Sequence, residues 1–220
     1  MLFRSMQADL AQREGSDTQE LKKSLQLIGR ASIRATHTVN QLLSLARAES
    51  GHMSIARAPC NMVELAQSVI QDSIPLAMEK HIDLGYEGVS ADSRGVRVLG
   101  NATLLKELIR NLVDNAMNYT PSCAESPGVI TVRVLSDTAG KVVALQVEDS
   151  GPGIPTTERE QIFQPFYRAL GTEVDGSGLG LAIVMEVAQL HDATINVQEA
   201  APGKPNPGAS FTVRFQHTLA

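Results

Sequence analysis

Nowhere in these 220 residues does an apolar run approach the roughly 20 residues that a membrane-crossing helix needs, and no signal peptide opens the chain. Read alone, the chain is expected in the cytoplasm. Basic runs are missing too. With a net charge of −5, nothing here tracks a phosphate backbone, so no nucleic-acid partner is expected. Cysteine is scarce: Cys60 and Cys123 stand far apart without metal-ligand spacing, which points to free thiols in a reducing compartment. Internal repeats are absent. What remains is a chain that is 43% hydrophobic and 20% charged, enough for one domain of ordinary size plus something smaller.

The smaller piece comes first. No proline interrupts Thr18 to Ala48, and Leu21, Leu25, Ile28, Ser32, Ala35, Val39, Leu42 and Ala46 recur at alternating steps of four and three. That seam predicts a long helix that packs against other helices. The stretch before it, LFRSMQADLAQREGSD, reads as the end of another helix stopped near Gly15 and Ser16, with Asp17 or Thr18 capping the next. Two helices and a short polar loop make a hairpin whose first arm is much shorter than its second. Left alone, the seam would face water, so pairing of two copies into a bundle is expected.

After SGHM, Ser50 to Met53, the pattern changes. NMVELAQSVIQDSIPLAMEKH predicts an amphipathic helix with Val63, Leu65, Ala66, Val69 and Ile70 on its apolar side. HIDLGYEG, VRVLG, VITVRVLSD, KVVALQVED, ATINVQEA and SFTVRFQ alternate as strands, and helices are predicted over 102–118 and 179–191. This combination predicts an α+β fold, a two-layer α/β sandwich with a mainly antiparallel sheet behind a helical hairpin. The expected division is 1–54 for the hairpin and 55–220 for the sandwich. APGKPNPG, 201–208, reads as a turn-rich loop between the last two strands.

Three stretches in the sandwich are candidates for chemistry. In ELIRNLVDNAMNYTP, residues Glu107, Asn111, Asn115 and Asn118 fall along one helical face. Asparagine is a mediocre helix former, and carboxamide oxygens suit a Mg²⁺ that also holds phosphates. By itself the stripe is equally compatible with a solvated polar face. In VEDSGPGIP a strand ends at Asp149 and two glycines follow. A buried carboxylate there can accept from an exocyclic amine such as that of adenine, although a capped turn gives the same residues. In IFQPFYRALGTEVDGSGLGLAIV three alternate glycines open a helix, behind a polar run from Arg168 to Gly176 that suits a lid. Glycines at a helix start let backbone N–H groups approach a phosphate. Neither the Walker A pattern nor the dinucleotide fingerprint is present.

In this order and spacing the stretches resemble a known family. The chain looks like the catalytic, ATP-binding domain of a sensor histidine kinase of a two-component system, a branch of the superfamily that holds gyrase-, Hsp90- and MutL-type ATPases. RNLVDNAMNYTP resembles its N box, DSGPGIP its G1 box, IFQPFYR its F box and GSGLGLAIV its G2 box. The likeness covers roughly residues 55 to 220 and implies a Bergerat-type ATP-binding fold. Helix 18–48 resembles the second helix of that family's dimerisation and phosphotransfer domain. The acceptor segment, reading roughly His-Glu-x-x-Thr/Arg-Pro, is not found at His37, His52, His81, His191 or His217.

The resemblance implies ATP and Mg²⁺ as ligands, with Asn111 the metal ligand and Asn111, Asn115, Asn118 and Tyr119 around the nucleotide. Asp149 is implied to read the adenine amino group while Gly151 and Gly153 shape the site. Phe163 and Phe166 anchor the lid, and Arg168 approaches the γ-phosphate. Gly176, Gly178, Leu179 and Gly180 form the turn whose backbone faces the phosphates. Glu107 stands where related ATPases activate water and is given a supporting role. Asn118 departs from the family, which often has Lys or Arg there. Asn101 replaces a frequent Asp, and Asp192 a frequent Gly. The implied partners are a response regulator receiver domain and a second copy of the chain, with the full-length protein anchored in the inner membrane. The alternatives are an ATPase of the same superfamily and a non-catalytic nucleotide-binding docking module.

Overall fold

The computed structural model describes residues 56–93, 95–137, 142–168 and 178–216. The expected hairpin at 1–54, with its seam and its pairing, lies outside these residues. So do Gly176, the whole run between Arg168 and Gly176, and the histidines at 37, 52 and 217.

Two short strands each lead directly into a helix. β1 (Ala58–Asn61) pairs antiparallel with β3 (Arg97–Gly100), Cys60 opposite Val98. Asn61 then caps α1 (Met62–Glu79), its Oδ1 accepting from the N–H groups of Val63 at 3.1 Å and Glu64 at 3.4 Å. Asn101 does the same for α2 (Ala102–Tyr119), accepting from Thr103 at 3.1 Å and Leu104 at 3.2 Å. A short carboxamide satisfies first-turn donors that no helix can satisfy for itself. The strand β1 is not visible in the sequence, because four residues that include Pro59 are too few for alternation to register. Cys60 is buried there, its thiol directed at the carbonyls of Ala58 and Gly100, whereas Cys123 is exposed; both are free.

The main sheet runs β2 (Ile82–Gly88), β4 (Gly128–Ser136), β5 (Val142–Asp149), β7 (Ala209–Gln216), β6 (Thr194–Glu199) from edge to edge. β2 and β4 are parallel, because β3 and α2 form the crossover between them; the other three pairs are antiparallel. Alternation places Ile130, Val132 and Val134 of β4, Val143, Leu145 and Val147 of β5, and Phe211, Val213 and Phe215 of β7 on the buried face. Against that face lie Val63, Ala66 and Val69 of α1, Leu105, Leu108 and Leu112 of α2, and Ile183, Val184 and Val187 of α3 (Gly180–Leu190), in one continuous core. Leu108 is fully enclosed, so truncating it to alanine costs about 2–5 kcal/mol. The other face carries Arg133, which bridges Glu87 at 2.8 Å and Glu148, together with the exposed Val129 and Leu135. The fold is thus the expected α+β two-layer sandwich with a mainly antiparallel sheet.

Candidate functional site

Helices α2 and α3 lie side by side in opposite directions. At the start of α2, the backbone N–H of Asn101 donates to Nε2 of His191 at 3.0 Å, just past the end of α3. The other ring nitrogen, Nδ1, donates to the carbonyl of Val187 at 2.7 Å, so the tautomer is fixed. Burial pushes the His191 pKa below its ordinary value. His191 is therefore a structural residue. The turn it closes holds Asp192 at φ +54, where its carboxylate meets Arg57 at 2.9 Å; Arg57 also donates to the carbonyl of Leu190 at 2.7 Å.

Midway along α2, the polar stripe reaches the start of α3. Asn111 is buried, and its Nδ2 donates to the carbonyl of Glu107 at 2.9 Å. Its Oδ1 faces Gly180, where an added Cβ would come within 3.2 Å of it. Glu107 and Asn115 are half-buried on the same stripe, and Asn118 is exposed at its end. There the Asn118 Oδ1 accepts from Lys80 Nζ at 2.9 Å. Tyr119 is half-buried, and its carbonyl packs so tightly on Gly151 that a Cβ there would stand 2.7 Å away.

Asp149 ends β5 almost fully enclosed. Its Oδ1 accepts from the N–H groups of Gly151 at 2.8 Å and Ala209 at 3.2 Å, while burial pushes its pKa up. Oδ2 takes no hydrogen bond among the described residues. Gly208 is the site-shaping residue that sequence reading missed. It sits at φ +66, donates to the Gly151 carbonyl at 2.9 Å, and has no room for a side chain: a Cβ would fall 1.9 Å from the Asp149 carbonyl. The neighbouring Gly153 is at φ +79, against Pro207 and Gly208. The loop at 201–208 is therefore a wall of the Asp149 site as well as a connection. Its one sequence signal is a glycine closing a proline-rich loop immediately before a strand.

The start of α3 differs from the other two helices. Its N-cap is Leu179, whose side chain is buried in the core and makes no capping hydrogen bond. Gly178 precedes it at φ +70, its carbonyl accepting from the Phe166 N–H at 2.8 Å. Phe163, in a short helical turn (Gln161–Phe163), packs at the core's edge. Phe166 holds its place by backbone rather than ring: it sits at φ +65 and is 66% exposed. Arg168 is exposed at the end of this run, and Gly176 lies outside the described residues.

The structure therefore brings together a buried carboxylate with one oxygen that takes no hydrogen bond among the described residues, a backbone floor where glycine is obligatory, a carboxamide stripe, and a helix start without a side-chain cap. Those features suit an amine-bearing flat ring at one end and an anion at the other. Among the described residues, no helix is long and apolar enough to cross a membrane, and no group of three or more His, Cys, Asp or Glu is placed to hold a metal.

Residues 100–219 match the model of the family described as histidine kinase-, DNA gyrase B-, and HSP90-like ATPase. The sensor protein QseC of Salmonella typhi is 35% identical over 198 residues, 90% of this chain and 41% of that protein. The sensor protein kinase PmrB of Pseudomonas aeruginosa is 33% identical over 183 residues, 83% of this chain and 36% of that protein. The solved structure of a mycobacterial sensor histidine kinase, MprB, aligns with a TM-score of 0.62 at 27% identity, covering 73% of this chain and 97% of that one. The chain spans about two fifths of the length of the curated relatives it matches.

Proposed function

The chain belongs to the histidine kinase-, DNA gyrase B-, and HSP90-like ATPase family and carries an ATPase domain of the sensor histidine kinase type, and on that premise we propose that it binds Mg²⁺-ATP and passes the γ-phosphoryl group to a histidine nitrogen, for onward transfer to a response regulator aspartate. The observation that carries this reading is the pairing of Asp149, one oxygen spent on backbone and one without a hydrogen bond among the described residues, with a helix start that has no side-chain cap and faces Asn111.

Asp149 Oδ2 accepts from the adenine amino group, and Gly151, Gly153 and Gly208 let the ring lie against backbone. The first-turn N–H groups of α3, with Gly178, receive the phosphates in a place where they need no reorganisation. Asn111 Oδ1 is the metal ligand on this reading, with Asn115 beside it. Bound Mg²⁺ neutralises phosphate charge and aligns the transferred group. Tyr119 lines the nucleotide, Phe163 and Phe166 anchor the lid, Arg168 approaches the γ-phosphate, and Glu107 supports Asn111. The protein's share of the chemistry is positioning and charge neutralisation.

On this reading the acceptor histidine comes from outside this chain: none of His37, His52, His81, His191 and His217 stands in the acceptor motif, and His191 is buried with both ring nitrogens engaged. Residues 1–54 belong, on the same reading, to the dimerisation hairpin through which two copies pair. A longer protein then holds this part in the cytoplasm at an inner membrane; the sensor proteins among the relatives support that placement.

The test supplies what is missing. Chain, radiolabelled ATP, a separate helix fragment bearing an acceptor histidine, and a receiver domain are mixed. Label on the histidine fragment and then on the receiver is expected. ATP binding without transfer supports a docking module instead, and hydrolysis that Glu107→Ala abolishes supports the ATPase.

A further inference from the structure

We propose that Arg159 is a positioning residue of the base site: from the turn after Pro155 it brackets the two backbone segments that hold Asp149. This rests on the ATP reading above and names a further residue on which that site depends. One segment runs from Asp149 to Ile154, the other from Glu199 to Ala209. At one end they are joined by hydrogen bonds from backbone, Gly208 donating to the Gly151 carbonyl at 2.9 Å and Ala209 to Asp149 Oδ1 at 3.2 Å. At the other end the join is a side chain. Arg159 Nε donates to the Ile154 carbonyl at 3.1 Å, and its Nη2 approaches Glu199 Oε1 at 3.7 Å.

The bracket answers a local need. Past Gly151, neither Pro152, Gly153 nor Ile154 makes a backbone–backbone hydrogen bond among the described residues. Proline has no N–H to give, and Gly153 sits at φ +79 in a residue type with much freedom to lose. Such a turn keeps one shape only where its surroundings hold it. Pro207 and Gly208 crowd Gly153, and the Arg159 donation fixes the carbonyl of the next residue. The chain brings Arg159 back to that carbonyl by a turn in which the Glu158 N–H donates to Pro155 at 2.9 Å. A guanidinium carries its donors on separate atoms of one plane, so a single side chain serves a carbonyl and a carboxylate together. Glu199 is the last residue of β6, and the loop after it closes through Ala201 N–H to the Pro207 carbonyl at 2.7 Å. Its position is therefore passed to Gly208, which touches Asp149 by backbone. An ion pair alone at this separation would do little; the contact with Ile154 is what makes Arg159 a bracket. With both segments held, Asp149 presents a fixed oxygen, which accepts an amine at the edge of a base and repels a carbonyl.

The test titrates ATP, GTP and adenosine against a fluorescent ATP analogue on the full 220-residue chain. Wild type, Arg159→Met, Arg159→Lys and Glu199→Gln are compared, with melting temperatures measured alongside. Arg159→Met keeps an apolar stem and removes the donors. It is expected to weaken ATP and adenosine by the same factor, about fivefold, within reach of one charge-assisted hydrogen bond, and to narrow the preference for ATP over GTP. Arg159→Lys recovers part of both. Glu199→Gln, which leaves the Ile154 contact in place, has the smaller effect. A lower melting temperature for Arg159→Met with unchanged affinities and base preference overturns the proposal and leaves Arg159 a brace for a surface turn. Loss of ATP affinity without loss of adenosine affinity overturns it too, because the effect then lies at the phosphates. A folded wild type that binds no ATP, or binding that Asp149→Asn leaves intact, identifies instead a failure of the nucleotide reading, and this proposal falls with it.

Discussion

The helices α2 and α3 run side by side, yet they begin in opposite ways. α2 starts closed: Asn101 spends its side chain on two first-turn donors and its own N–H on His191. α1 starts closed as well, by Asn61. α3 starts at Leu179, whose side chain lies in the core, behind a glycine held at positive φ. A helix start left open costs stability that asparagine, serine or aspartate could have supplied. The other two described α-helices carry such a side-chain cap, and on the proposed reading the first turn of α3 is the one that meets a ligand. On that reading the same helix end is a structural terminus in one place and a binding surface in the other, and the residue at the N-cap tells them apart.

Damage to the open start should produce the largest effect. Gly178→Ala puts a Cβ 2.8 Å from the Phe166 backbone at φ +70, so the start of α3 must shift. ATP affinity is expected to fall at least about thirtyfold, roughly 2 kcal/mol, in a direct titration. Asn101→Ala should give the reverse pattern. Loss of the cap costs about 1 kcal/mol in chemical denaturation and leaves the ATP dissociation constant within about twofold. Comparable affinity losses in the two variants would erase the distinction.

The closed start should also be the acid-sensitive one. His191 has a folded pKa below its ordinary value of 6.5, so between those two values the unfolded chain binds a proton that the folded chain does not. Its contribution is complete above about pH 6.5 and is lost as pH falls below it, because a protonated Nε2 cannot accept from Asn101. Melting temperatures taken through that range should decline for the wild type and flatten for His191→Gln. The smallest effect belongs to Asp192→Gly. Glycine relieves the left-handed backbone but gives up an exposed pair with Arg57, and the two changes should nearly cancel, to within about 0.5–1 kcal/mol of unfolding free energy.

These contrasts also explain what was legible in the sequence. The central strands of the main sheet were readable because each buries one face, so alternation survives along β4 and β5 and over most of β7. The asparagine stripe was readable because helical spacing alone places Asn111, Asn115 and Asn118 together. Contacts between distant segments left no such trace. Gly208 reaches Asp149 across 59 positions by backbone alone, and the sequence around it resembles any turn. Lys80 meets Asn118 only because α1 ends beside the end of α2. Asn101 could be recognised as a departure from a family habit, but its work as an N-cap, and the burial of His191 beneath it, depend on how α3 packs.

The most direct check of the site titrates ATP with Mg²⁺ into the wild type, Asp149→Asn and Asn101→Ala, all shown to be folded. Saturable binding that is lost in Asp149→Asn and kept in Asn101→Ala is the predicted result. No binding by the folded wild type, or equal binding by Asp149→Asn, would contradict the account.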